Sequence, residues 1–372
     1  MAEKKSIDLT LLIVTFMLVS IGVIMVFSAS YSFAMSNMGD GTYFLRRVIM
    51  WAAIGIILMA VCSFINYRLW KKIAIILLVV SFLLLILVLT PLGTEINNAQ
   101  RWIHIAGFSL TPAELAKFSL IIYLAASLEK KKDLLHRFDQ GILPYLLIAG
   151  TMFFLIFKQP DFSTSLVIVF ITMLMLFIAG IRFSHFVIMA MTGTGAVAAF
   201  LGYILLSGQG YKTRRLTAYL DPWSDPSDTG LQAIQSLLAI GSGGVLGKGI
   251  GMSIQKHLHL PEPHNDFIFS IIAEELGFLG GIFVLILFAL FIWRCTVIAV
   301  NAPDQFGCLI SAGLAGLVAV QVIINVGVAT SLLPVTGIPL PFISFGGNSL
   351  VVLMALTGIV LNISKKSFHV GG

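Results

Sequence analysis

The chain has 372 residues, of which 58% are apolar and only 11% charged, and its mean hydropathy is +1.00. This composition excludes an ordinary soluble domain, and repeated apolar runs of about 20 residues predict a polytopic all-α membrane protein. The net charge of +6 does not indicate nucleic-acid binding, because the basic residues lie at the ends of the apolar runs. The three cysteines imply neither a disulfide framework nor a metal site.

Hydropathy predicts about ten transmembrane helices in one integral membrane domain that covers residues 1–372. The first predicted span follows Lys4 and Lys5, as a signal peptide would, but its apolar run is too long and lacks a clear cleavage site. We therefore interpret it as an anchor. The predicted spans are 9–30, 46–66, 73–91, 111–128, 142–158, 163–181, 184–206, 266–293, 306–330 and 348–364.

The distribution of basic residues predicts the orientation in the membrane. With ten spans both termini lie on one side, and a cytoplasmic location for them places a majority of the 23 Lys and Arg residues inside. We therefore predict a multi-pass protein of the cytoplasmic membrane with one large extracellular loop, about 207–265, between spans 7 and 8. Within that loop we expect a short interfacial helix at 230–241 and a flexible hinge at 241–251.

The end of this loop, LPEPHNDFIF (260–269), places Asp266 at the outer membrane boundary and at a helix N-terminus. One interpretation is that Asp266 only caps the helix, where a carboxylate satisfies unpaired N–H groups and suits the dipole. The other is that it acts as a base on a lipid-linked substrate. Since capping lowers the pKa of a carboxylate, a catalytic Asp266 would need desolvation or a bound cation. The residues leave both interpretations open.

Two pairs of charged residues lie within predicted spans. Glu114 and Lys117 are three residues apart, so they can pair on one helix face, either for function or as a structural ion pair between helices. Glu274 and Glu275 are adjacent and point about 100° apart, so we expect only one to face a polar cavity. We take Glu275 as that candidate.

Short polar segments near the outer ends of spans add further candidates. Arg101 and Trp102 precede span four, where tryptophan is also common as a belt residue. Gln159 and Asp161 lie in a short turn between spans five and six, where they could serve only as turn and cap residues.

The segment 330–350 contains three prolines and three glycines close to the membrane. Irregular backbone at that depth is tolerated only when it is buried in protein or lines a cavity. We take Ser344 and Asn348 from it as candidates. The remaining candidate substrate-binding residues are Arg214, Arg215, Gln235, Ser236, Lys248 and His264.

A set of segments along essentially the whole chain follows one family pattern in order and spacing: FSAS (27–30), RW (101–102), AELAK (113–117), QPDFSTS (159–165), RRLTAYLDPWSDP (214–226), QSLLAIGSGG (235–244), LPEPHNDFIF, EELG (274–277) and the proline- and glycine-rich segment before span ten. By these segments the chain is similar to the SEDS family (FtsW, RodA and SpoVE), and closest to the FtsW/SpoVE type. It departs from the family pattern at Ala113, Asn265, Ser331 and Phe345, and no departure removes a charged group.

The resemblance implies a peptidoglycan glycosyltransferase that polymerises lipid II, an undecaprenyl-diphosphate-linked disaccharide peptide, into β-1,4 glycan strands on the outer face of the membrane. The resemblance also implies that the chain acts together with a class B penicillin-binding protein transpeptidase and with other membrane proteins of division or sporulation. Nucleic acid is not an expected partner. By resemblance Asp266 is the catalytic carboxylate and Trp102 a functional position.

One inversion of configuration, from the α-linked donor to the β-linked product, suggests a single displacement with Asp266 as base. The departing diphosphate would be held by some of Arg101, Lys117, Arg214, Arg215 and Lys248. We expect no tightly bound cofactor, although a divalent cation, Mg²⁺ or Mn²⁺, could assist. Two alternatives remain open: a lipid II flippase, favoured by the charges in span four and the broken segment before span ten, and a scaffold for the transpeptidase.

Overall fold

The computed structural model describes residues 7–96, 99–105, 108–207, 219, 221–226, 230–255 and 264–367. Helices dominate these residues, and one small antiparallel sheet lies between the third and fourth helices. The helices are α1 (Leu9–Met38), α2 (Tyr43–Phe64), α3 (Arg68–Leu87), α4 (Pro112–Lys130), α5 (Leu143–Phe157), α6 (Phe162–Ile178), α7 (Phe183–Ser207), α8 (Leu231–Gly243), α9 (Ile268–Val300), α10 (Gln305–Ala329) and α11 (Gly347–Ser364).

Each of the ten predicted spans coincides with one of these helices, and the predicted polytopic all-helical membrane class is confirmed. Seven described helical segments are long and apolar enough to cross a membrane: α1, α2, α3, Phe138–Phe157, α9, α10 and α11. Helix α6 is shorter, and α4 carries charges at both ends. The count of ten spans therefore stays a prediction.

Ion pairs and capping contacts at one end of the bundle join helix termini that are distant in sequence. Asp8 accepts a hydrogen bond from the backbone N–H of Leu11 and caps α1, and its second oxygen lies 2.5 Å from Nη2 of Arg294 on α9. Asp304 caps α10 and accepts a hydrogen bond of 2.7 Å from the hydroxyl of Tyr67, which precedes α3. This end is the predicted cytoplasmic one, and the candidate residues of the predicted outer loops lie at the other.

The segment before α4, which we predicted to be an outer loop, contains strands β1 (Thr94–Ile96), β2 (Ala99–Ile105) and β3 (Phe108–Leu110) in the order β1-β2-β3. The side-chain amide of Gln100 donates to the carbonyl oxygens of Thr90 and Gly93, at 2.8 and 3.1 Å, and so ties β2 to the end of α3. Hydropathy scanning missed the sheet because its strands are short.

Helix α9 is interrupted at Gly277, which has φ 71° and ψ −171°. The segment 244–249 docks into this break: the N–H groups of Lys248 and Gly249 donate to the carbonyls of Glu274 and Glu275 (3.0 and 2.9 Å), and the N–H of Phe278 donates to Gly244 (2.9 Å). Our prediction of a flexible hinge at 241–251 was therefore wrong. Its glycines allow close backbone contact instead, since a Cβ on Gly247 would lie 2.2 Å from the carbonyl oxygen of Glu275.

The proline- and glycine-rich segment between α10 and α11 has non-helical backbone, as predicted. Its apolar side chains at positions 338, 340, 342 and 343 are buried against the core. The segment therefore forms a fixed wall inside the bundle, which agrees with the rule that irregular backbone at membrane depth must be enclosed by protein.

Candidate active site

Asp266 lies immediately before α9, and its side chain is half-buried. The residue at the N-cap position of α9 is Phe267, and no side chain caps the helix there. Asp266 therefore lies one residue before the assigned N-cap position, and its role as a base stays a prediction.

Three hydrogen bonds fix the backbone that carries Asp266. The side-chain amide of Asn325, on α10, donates to the carbonyl of Asp266 at 2.9 Å. The hydroxyl of Ser344 donates to the carbonyl of Asn265 at 2.6 Å, and the N–H of Phe345 donates to His264 at 2.9 Å. Both Ser344 and Asn325 are buried. The candidate Ser344 thus acts on the main chain next to the carboxylate, and a contact between Ser344 and substrate stays a prediction.

Arg101 contacts the turn between α5 and α6, which carries two other candidate residues, Gln159 and Asp161. Its Nε donates to the carbonyl of Gln159 at 3.1 Å, Nη2 donates to the carbonyl of Pro160, and Nη1 lies 3.9 Å from the carboxylate of Asp161. Asp161 also caps α6 by accepting a hydrogen bond of 3.1 Å from the N–H of Thr164. The guanidinium is therefore held rigidly by the turn between α5 and α6.

Gly337 lies between Asp266 and Arg101. Around the point where a Cβ of residue 337 would lie, the nearest atoms are Oδ2 of Asp266 at 3.7 Å and Nη1 of Arg101 at 3.8 Å. Gly337 is exposed, so a carboxylate oxygen and a guanidinium nitrogen lie close to the same exposed point of the surface. We call this part of the surface the cleft over Gly337. Such a cleft can hold a hydroxyl group and a phosphate group close to each other.

Trp102 follows Arg101 in β2, so the two side chains project to opposite faces of the strand. Its backbone pairs with Thr94 of β1, and its side chain is half-buried. The structure therefore does not bring Trp102 to the face of β2 that carries Arg101. Its functional role stays a prediction from the family resemblance.

Glu114 and Lys117 form the predicted pair in the first turns of α4. Nζ of Lys117 donates to Oε1 of Glu114 at 2.8 Å, and the lysine side chain is only 2% exposed. Pro112 occupies the first turn of α4, where its lack of an N–H costs nothing. The pairing is confirmed, and both a structural role for the pair and its contact with substrate stay predictions.

Lys248 and Glu275 are engaged within the protein rather than directed to the cleft. Nζ of Lys248 lies 2.8 Å from Oε1 of Glu274, which is completely buried. Glu275 is 1% exposed and accepts hydrogen bonds of 2.7 Å from the hydroxyl of Ser28 on α1. These contacts argue against substrate binding by either residue and instead join the 244–254 segment, α9 and α1.

His264 is 3% exposed and lies within an aromatic cage of Phe33, Phe44 and Phe345, whose ring centroids are 4.3 to 5.8 Å away. Burial lowers the pKa of His264 to about 4, so the imidazole is neutral at physiological pH. The structure thus gives His264 a packing role. Its burial argues against our expectation that it contacts substrate.

The other candidates in and after the outer loop also make structural contacts. Ser236 on α8 is completely buried, with its hydroxyl 2.6 Å from both the hydroxyl of Ser270 and the carbonyl of Ala329. The amide of Asn348 donates to the carbonyl of Ser109 at 2.6 Å and so ties α11 to β3. Gln235 is half-buried on α8. Arg214 and Arg215 lie outside the described residues.

Sequence reasoning missed two residues of this site, Asn325 and Gly337. An amide in the middle of an otherwise apolar span is an available signal for Asn325, because a polar group within the membrane is costly unless it has a partner. Gly337 gives no such signal, because its importance depends on the two side chains beside it. Among the described residues, no group of three or more His, Cys, Asp and Glu side chains could hold a metal ion.

Comparisons with known proteins show the family to which the chain belongs. Residues 9–369 match the family model of the FtsW/RodA/SpoVE cell cycle proteins. The chain is 42% identical to stage V sporulation protein E of Bacillus subtilis, over 98% of this chain and 99% of the relative. It is 40% identical to the probable peptidoglycan glycosyltransferase FtsW of a Geobacter species, with the same coverage.

Two solved structures are similar over nearly their whole length. A chain from a peptidoglycan synthase complex, described in a study of how polymerization and crosslinking are coordinated, has a TM-score of 0.78 at 31% identity and covers 98% of this chain and 99% of its own. The crystal structure of the rod shape determining protein RodA of Thermus thermophilus has a TM-score of 0.71 at 29% identity, with 98% of each chain covered.

Proposed function

Because the chain belongs to the FtsW/RodA/SpoVE family of cell cycle proteins and is a peptidoglycan glycosyltransferase, we propose that it polymerises lipid II into β-1,4 glycan on the outer face of the cytoplasmic membrane. The observation that carries this proposal is the cleft over Gly337, where Asp266 and Arg101 lie close to the same exposed point. A glycosyl transfer from a sugar diphosphate needs one base and one site that stabilises the departing diphosphate. This cleft offers a group for each role.

In the proposed reaction the carboxylate of Asp266 removes the proton from the 4-hydroxyl of the acceptor sugar. The acceptor oxygen forms a bond to the anomeric carbon of the donor from the face opposite the diphosphate, while the bond between that carbon and the diphosphate oxygen breaks. The electron pair leaves on undecaprenyl diphosphate, and the configuration inverts once, from α to β. Asp266 must then pass its proton to water before the next cycle.

Arg101 would stabilise the negative charge that develops on the leaving diphosphate. Two of its nitrogens are occupied by the carbonyls of Gln159 and Pro160, which leaves Nη1 directed towards Asp161 and the cleft. A guanidinium held in this way needs little rearrangement when charge develops, which is the property required for electrostatic stabilisation of a transition state.

A divalent cation would fit this chemistry only in combination with substrate. The described residues contain no preformed cluster of three or more ligands, and Mg²⁺ typically binds through one or two carboxylates together with substrate phosphates. We propose two carboxylates for that purpose: Asp161, which lies 3.9 Å from Nη1 of Arg101, and Asp266, which lines the cleft over Gly337.

We also propose a class B penicillin-binding protein as the partner of this chain. The similar solved chain belongs to a peptidoglycan synthase complex in which polymerization and crosslinking are coordinated. A polymerase whose cleft opens outward would deliver its glycan product where a transpeptidase with an external domain can crosslink it.

Reconstitution of the purified chain in phospholipid vesicles tests the function. Lipid II is added to the outer leaflet, and glycan polymers are separated by gel electrophoresis. We expect polymers with the wild-type chain and none with Asp266→Asn. A flippase would move labelled lipid II across the bilayer without polymer, and a scaffold would do neither; either result would overturn the proposal.

A further inference from the structure

We propose that the exposed face of α8 and the segment 244–254, which together we call the outer wedge, are inserted among the acyl chains of the outer leaflet. Sequence analysis assigned this region to the extracellular loop between spans 7 and 8, with a short interfacial helix at 230–241 and a hinge at 241–251. The proposal concerns the surface that the chain presents to the bilayer, and it does not depend on the catalytic roles of Asp266 or Arg101.

The first support is the depth of the segment. Its backbone pairs with α9 around Gly277, and regular helix continues from Phe278 to Arg294, which pairs with Asp8 at the predicted cytoplasmic end. At 1.5 Å per residue, Gly277 lies about 25 Å from Arg294 along the helix axis. The hydrocarbon core of a bilayer is about 30 Å thick, so the break in α9 and the segment docked into it lie within the hydrocarbon.

The second support is the chemistry of the exposed side chains. Those that face outward from the wedge are almost all large and apolar, with Leu246 79% exposed and Met252 67% exposed. A monomeric protein rarely exposes a continuous apolar surface of this kind to water. The other members of the surface are Leu238, Val245, Ile250 and Ile254.

The third support is that polar groups of the wedge turn inward. Nζ of Lys248 lies 2.8 Å from both Oε1 of Glu274 and the hydroxyl of Ser242. The hydroxyl of Ser253 donates to Oε2 of Glu274 at 2.5 Å, and the N–H of Ile254 donates to Oε1 at 3.0 Å. A loop in water has no need to gather its charge and hydroxyl groups around one buried carboxylate, whereas a loop in lipid does.

The backbone of the wedge is paired in the same manner. Gly277 frees carbonyls and N–H groups of α9, and the wedge supplies their partners: the N–H groups of Lys248 and Gly249 meet the carbonyls before the break, and the carbonyls of Gly244 and Val245 meet the N–H groups after it. Irregular backbone is tolerated at membrane depth only when such partners exist. The backbone N–H and carbonyl groups freed by the break in α9 therefore find their hydrogen-bond partners in the outer wedge.

The apolar surface of the outer wedge is continuous with the surface of α9 that faces the membrane. The residues of α9 that pair with the wedge, Phe278 and Leu279, are themselves 63% and 54% exposed. They lie on a helix that is long and apolar enough to span the bilayer. The wedge thus extends the lipid-facing surface of α9, and acyl chains are the occupant that this continuity supports.

Site-directed spin labelling of the full chain in phospholipid nanodiscs tests the inference. Single cysteines are introduced by Leu246→Cys and Met252→Cys in a background carrying Cys62→Ala, Cys295→Ala and Cys308→Ala. Power saturation then compares collisions of the nitroxide with oxygen, which concentrates in lipid, and with a water-soluble nickel chelate. Phe283→Cys, on the exposed face of α9, is the lipid control, and Asn37→Cys, near the outer end of α1, is the water control.

We expect the labels at 246 and 252 to collide with oxygen several times more often than the label at 37 does. The label at 283 should show the same high collision rate with oxygen. Labels that resemble position 37 would place the wedge in water, and labels protected from both reagents would place it under protein; both results overturn the inference. If the cysteine-free background does not fold, the photoreactive residue p-benzoylphenylalanine replaces Leu246 in the otherwise native chain. A phospholipid adduct is then expected at 246 and not at 37, and its absence at 246 would contradict the inference.

Discussion

The side-chain amide of Asn325 donates a hydrogen bond of 2.9 Å to the main-chain carbonyl of Asp266. The same nitrogen donates to the carbonyl of Ile338, also at 2.9 Å. One buried amide therefore holds the residue that carries the proposed base and the segment that carries Gly337. This arrangement positions the base by its backbone and leaves the carboxylate at the edge of the cleft.

We predict that Asn325→Leu lowers kcat for glycan polymerisation by about 10- to 100-fold and changes KM for lipid II little. The expected magnitude reflects the cost of misplacing a catalytic group by about 1 Å. Kinetics of the purified variant in vesicles measure both constants. The matched control is Asn301→Leu, at the opposite end of α9, which should retain activity within about twofold. An equal loss in both variants would show that Asn325 has no special link to the site.

Asp266→Asn keeps the shape of the side chain and removes the proposed base. Since general base catalysis contributes about 10²- to 10⁴-fold, polymerisation should fall by at least 100-fold while binding of lipid II persists. Activity and binding are measured on the same vesicles. Asp40→Asn, which changes a carboxylate near the outer end of α2 that pairs with Arg46, serves as the control. Near-normal polymerisation by Asp266→Asn would disprove the assignment of the base.

Arg101→Lys should lower kcat/KM by about 10-fold or more, although the charge is kept. The guanidinium contacts two carbonyls and one carboxylate at once, and an ammonium group cannot reproduce that planar set of donors. Steady-state polymerisation at several lipid II concentrations provides the measurement. Arg46→Lys, at an exposed ion pair with Asp40 at 3.4 Å, should change kcat/KM by less than twofold, since exposed pairs contribute little.

Gly277→Ala should destabilise the protein by on the order of 2 kcal/mol. Residue 277 has φ 71°, and a Cβ there would lie 2.3 Å from the backbone nitrogen of Gly247, so the added methyl group would strain α9 and displace the outer wedge. Thermal unfolding in detergent and proteolysis at 244–254 report the two effects. Gly150→Ala, in α5 with nothing within 4 Å of its Cβ, should be neutral or stabilising by up to about 1 kcal/mol.

The free energy of unfolding should decrease as the pH falls from about 6.5 towards 4, because burial lowers the pKa of His264 to about 4. In that range the unfolded chain binds a proton at His264 and the folded chain does not, so the stabilisation present above pH 6.5 is lost as the pH falls. The contribution is up to about 3 kcal/mol. Thermal unfolding of His264→Phe, which keeps an aromatic ring in the cage, should depend less on pH than the wild type. His136→Phe, at an exposed histidine, should behave like the wild type.

Much of the architecture could be predicted from the sequence. Long apolar runs are local properties, and a helix in lipid must satisfy its own backbone, so hydropathy along the sequence indicated where the long helices of the structure lie. Charge spacing on one helix predicted the Glu114–Lys117 pair for the same reason, since three residues place two side chains on one face. Asp266 could be located at the start of a span because the change from polar to apolar residues is visible there.

The composition of the site depended on contacts between distant parts of the chain. Lys248 and Arg101 carry the same charge and both lie near the outer side, yet Glu274 neutralises the first while the turn at 159–161 directs the second to the cleft. Asn325 and Gly337 acquire their roles only when α10 and the segment after it lie beside residue 266. The sequence by itself determined which segments are helical and apolar, because those properties depend on neighbouring residues. Only the tertiary structure decided which polar groups meet at the cleft, because contacts between distant parts of the chain determine where each side chain is held.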